Sequence, residues 1–338
     1  MKVSIKDIAQ KLNLSPSTVS RALNNVGGIG QDTIQRVRKC ADEMNYVPNN
    51  IARSLKGNST KTIGVIIPDI SEIFFSRIVK GIDQSLERKG YNILLCDSNE
   101  SETKEKKYAQ LLFQNRVDGI IVATVQHMNA TDNPLTDCRL PLIYMDNLPD
   151  SGNGFNSICL DNEKASVLAV KHLIDNGHFQ IAAIMGKQNE TTGRDRYIGF
   201  QNGLHQCGIP LNQDLIRFGD FKEQSGYDAI MDLVKCETKF TAVYCSSSKM
   251  TYGAIQALRE LNMKIPQDIS VVGFDIYDDY NMMTPAITSI RQPEEKIGAL
   301  AANTLLQIIE NCDGDVYQHL NLEPTLLIRD SVRNIRVG

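Results

Sequence analysis

Residues 5–23 read IKDIAQKLNLSPSTVSRAL. Ile5, Ile8, Ala9 and Leu12 recur at helical spacing, the pattern breaks over 13–15, and Val19, Ala22 and Leu23 resume it. This spacing predicts two short helices joined by a tight turn. Asn13 stands where the chain must reverse, and asparagine tolerates left-handed backbone better than any residue but glycine. Ser15 is placed to cap the second helix, and Pro16 to take its first position, where a missing N–H costs nothing. The outer face of that helix carries Ser17, Thr18, Ser20 and Arg21, short hydroxyls and one guanidinium that can approach phosphates and base edges. On these residues alone the stretch fits a helix-turn-helix with a recognition helix over 16–23, or an ordinary helical hairpin.

The residues that follow favour the first reading. A third helix is predicted over 32–44, and then comes NYVPNNIARSLKG at 45–57, with Tyr46, Pro48, Asn49, Ala52, Arg53 and Leu55 at fixed spacing. Through Ile8-Ala9, Ser15, Thr18-Val19-Ser20-Arg21, Leu23-Asn24, Tyr46-Val47-Pro48-Asn49 and Ala52-Arg53, the chain resembles the lactose/galactose repressor (LacI/GalR) family of bacterial transcription regulators. The resemblance implies that the segment after Pro48-Asn49 is a hinge helix that orders on operator DNA. Two such helices, one per subunit, would lie in the minor groove with Leu55 wedged into the central base step. It also implies DNA contacts from Ile5, Ser15, Pro16, Ser17, Thr18, Ser20, Arg21 and Asn24 in the head, and from Asn49, Ala52 and Leu55 in the hinge.

Charge distribution agrees with a DNA-binding head. Residues 1–61 hold ten Lys and Arg against four acids, a balance of +6, which leaves −10 on the rest of a 338-residue chain whose net charge is −4. A basic head on an acidic body confines the phosphate-binding surface to one small domain. The eight cysteines form no Cys-x-x-Cys pair and no short secreted framework, so neither metal sites nor disulfides are expected. The opening MKVSIKDIAQ is charged and helical, and no apolar run approaches ~18 residues, so the expectation is a cytoplasmic protein with no membrane partner.

After a short polar linker, GNST at 57–60, the pattern changes. Strands are predicted at 62–68, 92–96, 119–123 and 141–145, with helices at 74–89 and 102–115. Beyond 157–160 a second run follows, with strands at 181–185, 242–245 and 270–274 and helices at 162–176, 192–207, 224–236 and 250–262. Such βαβ repetition implies an α/β fold of doubly wound parallel sheets with helices on both faces. Two such lobes in series resemble the core shared by this repressor family and the periplasmic sugar-binding proteins. RVDGII at 116–121, HLI at 172–174 with Gly177-His178, VVGFD at 271–275 and TSIRQP at 288–293 are the family-like markers. The resemblance implies three crossings between lobes, near Leu160, Ile290 and Leu320. The expected domains are a head at 1–47, a hinge helix and linker at 48–60, an N-terminal lobe at 61–160 plus 293–320, and a C-terminal lobe at 161–290 plus 321–330.

In open parallel sheets, ligands bind at the carboxyl ends of the strands. The loops there offer Phe74, Phe75, Asp146, Thr192, Arg194, Arg196, Phe221, residues 246–248 and Asp275. Arginine and aspartate can each make two hydrogen bonds to neighbouring hydroxyls, while an aromatic face covers the apolar side of a pyranose or purine ring. The resemblance places Phe75, Asp146, Arg196, Phe221 and Asp275 along an effector cleft, with Phe74 and Thr192 beside them and Ser247 at the next loop. Other readings stand beside these: Phe74 and Phe75 can simply begin an amphipathic helix, Asp275 can cap a loop, and Arg194 fits an ion pair or solvent. Many sugar-responsive members carry Asn-Asp after the strand that here ends at Cys245, whereas this chain has Ser247-Ser248, whose shorter reach counts against a plain hexose. Asn303 stands where members that respond to a phosphorylated carrier protein tend to be basic, which counts against that partner.

Other motifs carry no chemistry. Gly186-Lys187 lacks the first glycine and the Ser/Thr of a phosphate loop, Gly27-Gly28-x-Gly30 has no strand before it, and His172 and His178 are six apart around a helix end. No nucleophile elbow, paired carboxylates or zinc signature is present, so no enzyme and no cofactor is expected. The expected function is transcriptional regulation, as a repressor that binds a palindromic operator as a homodimer. Its control would come from a small-molecule effector, a sugar, sugar derivative or similar compound, bound between the lobes. A transport-type receptor and a sugar-modifying enzyme on the same core are the alternatives. The basic head counts against the receptor, and the missing catalytic constellation against the enzyme.

Overall fold

A computed structural model of the chain describes residues 3–24, 27–46, 59–125, 134–135, 140–149, 154–280, 282–311 and 317–336. It divides into two compact units, Met1–Thr60 and Lys61–Gly338. The hinge positions Asn49, Ala52 and Leu55 lie outside the described residues.

In the first unit, α1 (Ile5–Leu12), α2 (Pro16–Leu23) and α3 (Gln31–Glu43) enclose a small core of Ile8, Ala9, Val19, Ala22, Val37 and Cys40. The Ser4 N–H donates to the Asp7 carboxylate at 2.7 Å, which satisfies one of the unpaired donors at the start of α1. Asn13 ends that helix in the left-handed region at φ +53°. The Ser15 hydroxyl then accepts the Thr18 N–H at 3.0 Å, and Pro16 begins α2. Each of these devices acts within four residues, so the turn is encoded where it occurs.

The second unit contains two six-stranded sheets. The first takes β1 (Thr62–Ile67), β2 (Asn92–Asp97), β3 (Gly119–Val122), β4 (Leu142–Met145), β5 (Asn156–Leu160) and β11 (His319–Leu322) in the order β11-β5-β4-β3-β1-β2. The second takes β6 (Ile181–Met185), β7 (Ile216–Phe218), β8 (Ala242–Cys245), β9 (Ser270–Phe274), β10 (Thr288–Arg291) and β12 (Thr325–Leu327) in the order β12-β10-β9-β8-β6-β7. All pairings are parallel except β10 with β12. Apolar runs such as TIGVII and IAAIM are buried on both faces, as parallel strands covered by helices require.

The third crossing between sheets falls after Leu322, two residues beyond the expected Leu320, because β11 stays in register with β5 through the Leu322–Leu160 pair. Residues 321 and 322 therefore belong with the first sheet. The sequence predicts no strand at β7, β10, β11 or β12, runs of three or four residues too short to show a period, and no helix over 294–311, yet all five elements are present.

The sheets are covered by α4 (Ile73–Glu87), α5 (Glu102–Gln114), α6 (Asn162–Asp175), α7 (Thr191–Gln206), α8 (Glu223–Leu233), α9 (Ser248–Glu260) and α10 (Glu294–Asn311), and pairs of these helices meet through glycine. Helix α8 (Glu223–Leu233) crosses α9 (Ser248–Glu260) so closely that a Cβ on Gly253 would stand 1.9 Å from the Glu223 carbonyl oxygen, and one on Gly226 would stand 2.1 Å from that of Met250. The same reciprocity joins α4 (Ile73–Glu87) to the helix over 294–311 through Gly81 and Gly298. Backbone cannot yield as a side-chain tip can, so Gly253→Ala is expected to cost the core about 1–3 kcal/mol. Urea unfolding beside Gly154→Ala, whose Cβ meets nothing within 4 Å, checks this. Equal midpoints for the two variants would place the helices farther apart.

Candidate functional site

The head presents its second helix as the sequence predicts, but with more internal bonding. Ser17 and Arg21 are exposed and Thr18 and Ser20 half-buried, while Val19 and Ala22 face the core. Ser15 is a hub: its hydroxyl stands 2.7 Å from that of Ser17 and 2.8 Å from that of Thr18 while it caps the helix. Asn24 donates its side-chain amide to the Ser20 carbonyl at 2.8 Å, closing the other end. Pro16 is exposed at the first turn and Ile5 half-buried against the head core. Ser15 and Asn24 therefore hold the helix ends, and Ser17, Ser20 and Arg21 offer groups outward.

In the second unit, the carboxyl ends of both sheets converge on one cavity of about 120 Å³. All eight residues expected at an effector cleft line it: Phe74 and Phe75 at the start of α4, Asp146 after β4, Thr192 and Arg196 on α7 (Thr191–Gln206), Phe221 before α8, Ser247 before α9 and Asp275 after β9. Phe74 and Phe75 also serve the helix start, each buried, with ring centroids 4.9 Å apart in an edge-to-face pair. Three of the eight, Asp146, Phe221 and Asp275, hold φ between +49° and +68°. Left-handed backbone is uncommon outside glycine and asparagine, and its concentration at one cavity marks a place where geometry is held for a purpose. Phe221 can lie flat there because Gly186 has no side chain; a Cβ on Gly186 would stand 2.0 Å from the ring.

Arg196 anchors the floor. It is 5% exposed, donates from Nε to the Asn162 side-chain oxygen Oδ1 at 2.8 Å and from Nη1 to the Ser246 backbone carbonyl at 2.7 Å, and stacks its guanidinium 3.7 Å over the Phe274 ring. Asp275 accepts the Gln292 N–H at 3.0 Å and its side-chain amide at 2.7 Å. Burial pushes the Asp275 carboxyl up to about 6, against the pull of the Gln292 bonds and Arg196. Burial likewise pushes Asp146 up to about 6, with Arg196 opposing and Glu190 and Glu72 adding to the push. Ser247 lines the cavity, but its hydroxyl already accepts the Met250 N–H at 3.3 Å as the cap of α9.

Several wall residues were not expected. Asp69, Glu72, Glu100, Asn147, Lys187 and Glu190 line the cavity, and Asn147 ties the two lobes by accepting the Thr191 N–H at 2.8 Å and its hydroxyl at 2.6 Å. Lys249 reaches across from α9 to Asp69 at 3.0 Å and Glu72 at 2.8 Å. No local signal marks these residues, since apart from the Lys187–Glu190 pair their ion pairs and the Asn147–Thr191 bonds form only when loops more than 40 positions apart meet. Arg194 lies at 3.1 Å from Asp195, the ion pair that was one of its two readings. His178 is held between the Thr241 hydroxyl and the Arg333 carbonyl, both at 2.9 Å, a structural role. Among the described residues no cluster could hold a metal ion, and no helix is long and apolar enough to cross a membrane.

Residues 4–49 match the model of the bacterial regulatory proteins of the lacI family, and residues 60–329 match that of the periplasmic binding proteins and sugar-binding domain of the LacI family. The chain is 35% identical over 331 residues to the HTH-type transcriptional repressor PurR of Pectobacterium atrosepticum, covering 97% of this chain and 96% of that protein. It is 33% identical over 335 residues to the PurR of Actinobacillus pleuropneumoniae serotype 3, covering 98% and 99%. Among solved structures, the lac repressor dimer bound to operator and the anti-inducer ONPF is similar with a TM-score of 0.86 and 26% identity, covering 98% of this chain and all of that one. The complex of the transcriptional regulator CelR with cellobiose is similar with a TM-score of 0.74 and 26% identity over the same shares.

Proposed function

The chain belongs to the LacI family of bacterial regulatory proteins and is a DNA-binding transcriptional repressor, and we propose that it works in the cytoplasm as a homodimer on a palindromic operator under the control of a small ring compound bound between its lobes. The observation that carries the effector reading is the convergence of Phe74, Phe75, Asp146, Thr192, Arg196, Phe221, Ser247 and Asp275 from both sheets on one cavity. Aromatic faces beside buried acceptors and a fixed guanidinium suit a sugar-like or similar polar ring.

The domain assignment follows from this reading: head at 1–47, hinge and linker at 48–60, and two lobes built from the two sheets. Two-fold symmetry in a palindromic site calls for two heads, hence the dimer. A compound that binds one lobe arrangement more tightly than another shifts operator affinity by that difference, ~1–3 kcal/mol in coupled systems. In the head, Ser17, Thr18, Ser20 and Arg21 read the major groove with Ile5, Ser15, Pro16 and Asn24 around them. Asn49, Ala52 and Leu55 act in the minor groove.

Selection of bound sequences from a random DNA pool, followed by release with a panel of sugars, sugar acids and nucleobases, tests the whole reading. A palindrome whose occupancy one compound alters supports it, and the absence of any enriched site would remove it. Arg21→Ala is expected to relax base preference at one position per half-site by about 1–3 kcal/mol. Uniform weakening across all variant sites would instead make Arg21 a phosphate contact.

A further inference from the structure

The charges around the interlobe cavity are unevenly matched. Lys249 stands between Asp69 and Glu72, at 3.0 and 2.8 Å. Lys187 stands between Glu190 at 3.1 Å and Glu100 at 3.7 Å, and Lys222 approaches Glu100 from the rim at 3.9 Å. Burial works against both the Lys187 and Lys249 ammonium groups, yet the carboxylates around them hold each above its ordinary pKa. The floor leans the same way: the Arg196 charge acts on both Asp146 and Asp275, and Arg196 commits its Nε and Nη1 donors to the Asn162 side-chain oxygen and the Ser246 carbonyl. Among the described residues, these six carboxylates thus face four cations.

This arrangement has a consequence for what can enter. Among the described residues, each lysine of the cleft has an acid within ion-pair distance and the Arg196 charge acts on two carboxylates, so an incoming phosphate or carboxylate meets repulsion from acids that outnumber the cations. The carboxylates accept hydrogen bonds and donate none while ionised, so they call for donors on the ligand. The Phe74, Phe75 and Phe221 rings cover an apolar face and attract positive charge.

We propose that the cleft selects an uncharged or positively charged ring compound rich in hydrogen-bond donors, and rejects phosphorylated and carboxylated ones. This rests on the reading of the cleft as the effector site. It narrows the class to polyols, amino sugars and amino-bearing bases, and it sets sugar phosphates and sugar acids aside.

Isothermal titration of the full chain with matched sets tests it: glucose, glucosamine, glucose 6-phosphate and gluconate; ribose and ribose 5-phosphate; adenine, guanine and their 5′-monophosphates. The expected result is that a ring whose neutral or amine form binds loses at least about 100-fold in affinity when it carries phosphate or carboxylate. The double variant Asp69→Asn/Glu72→Gln should narrow that gap to about tenfold, because the rim then carries a net positive charge. An anionic member that binds the natural chain as tightly as its neutral counterpart, or a gap unchanged in the double variant, overturns the charge inference and leaves the effector site standing. If no member of any set binds at millimolar concentration, the effector reading itself falls and takes the inference with it.

Discussion

Replacing Arg196 by methionine is expected to destabilise the ligand-binding unit by about 3–5 kcal/mol at pH 8 and to abolish the response of operator binding to effector. Methionine keeps the stem that packs on Phe274, so little of the loss comes from a cavity. What disappears is the charge between Asp146 and Asp275 and the donors to Asn162 and the Ser246 carbonyl. Asp146 and Asp275 would then each lose the guanidinium that offsets their desolvation, and breaking a buried charge set by removing one partner costs more than the set contributes net.

The pH dependence separates this account from plain loss of packing. Both carboxyls already have folded values near 6, above the ordinary 3.8, and Arg196 is a force that holds them down. Without it they rise further. A carboxyl whose folded pKa is raised binds its proton more tightly in the folded state, so stability is greatest when it is protonated and falls as pH climbs from about 4 through the folded pKa. The variant should therefore lose more stability than the natural chain between pH 5 and 8 and recover part of it on acidification. Chemical denaturation at both pH values reads this directly. A deficit of equal size at pH 5 and 8 would mean that Arg196 stabilises by packing and not by charge.

The legible and illegible parts of this protein divide by distance along the chain. Asn13, Ser15 and Pro16 specify the head turn within a few residues, and each took the backbone state its chemistry prefers. Phe74, Asp146, Arg196, Phe221 and Asp275 were legible for a different reason: in a parallel sheet every strand points its carboxyl end to the same side, so residues just after strands must meet there. The partners of those residues were not legible. Glu72, Glu100, Lys187 and Lys249 look like solvated surface charges in sequence, and the pairs Lys249–Glu72 and Lys187–Glu100 exist because two lobes built from separate stretches face each other. Ser247 shows the converse limit. Its position in the cleft followed from the strand before it, but its commitment to the α9 cap depends on a 3.3 Å geometry that spacing cannot give.

Asp146→Asn is expected to do the opposite of Arg196→Met for stability while also damaging function. Burial raises the Asp146 carboxyl from 3.8 to about 6. At about 1.4 kcal/mol per pKa unit that shift would correspond to some ~3 kcal/mol, and partial exposure of the side chain reduces it to roughly 1–2 kcal/mol. Because the folded value is raised, the cost is absent below pH 4, grows as pH rises from 4 to 6 and is complete above 6. Asparagine carries no charge to desolvate, is nearly the same size, and tolerates the left-handed φ of +63° at this position. The variant should thus unfold at higher urea than the natural chain at pH 8, with the difference shrinking toward pH 4.5. Its effector affinity should fall by about 100-fold, since an ionised acceptor at the floor of the cleft is replaced by a weaker neutral one. A variant that is no more stable at pH 8 would show that water reaches the carboxylate and relieves it. One that binds effector as tightly as the natural chain would remove Asp146 from the ligand's hydrogen-bond partners and leave Arg196 and Asp275 to hold the ring.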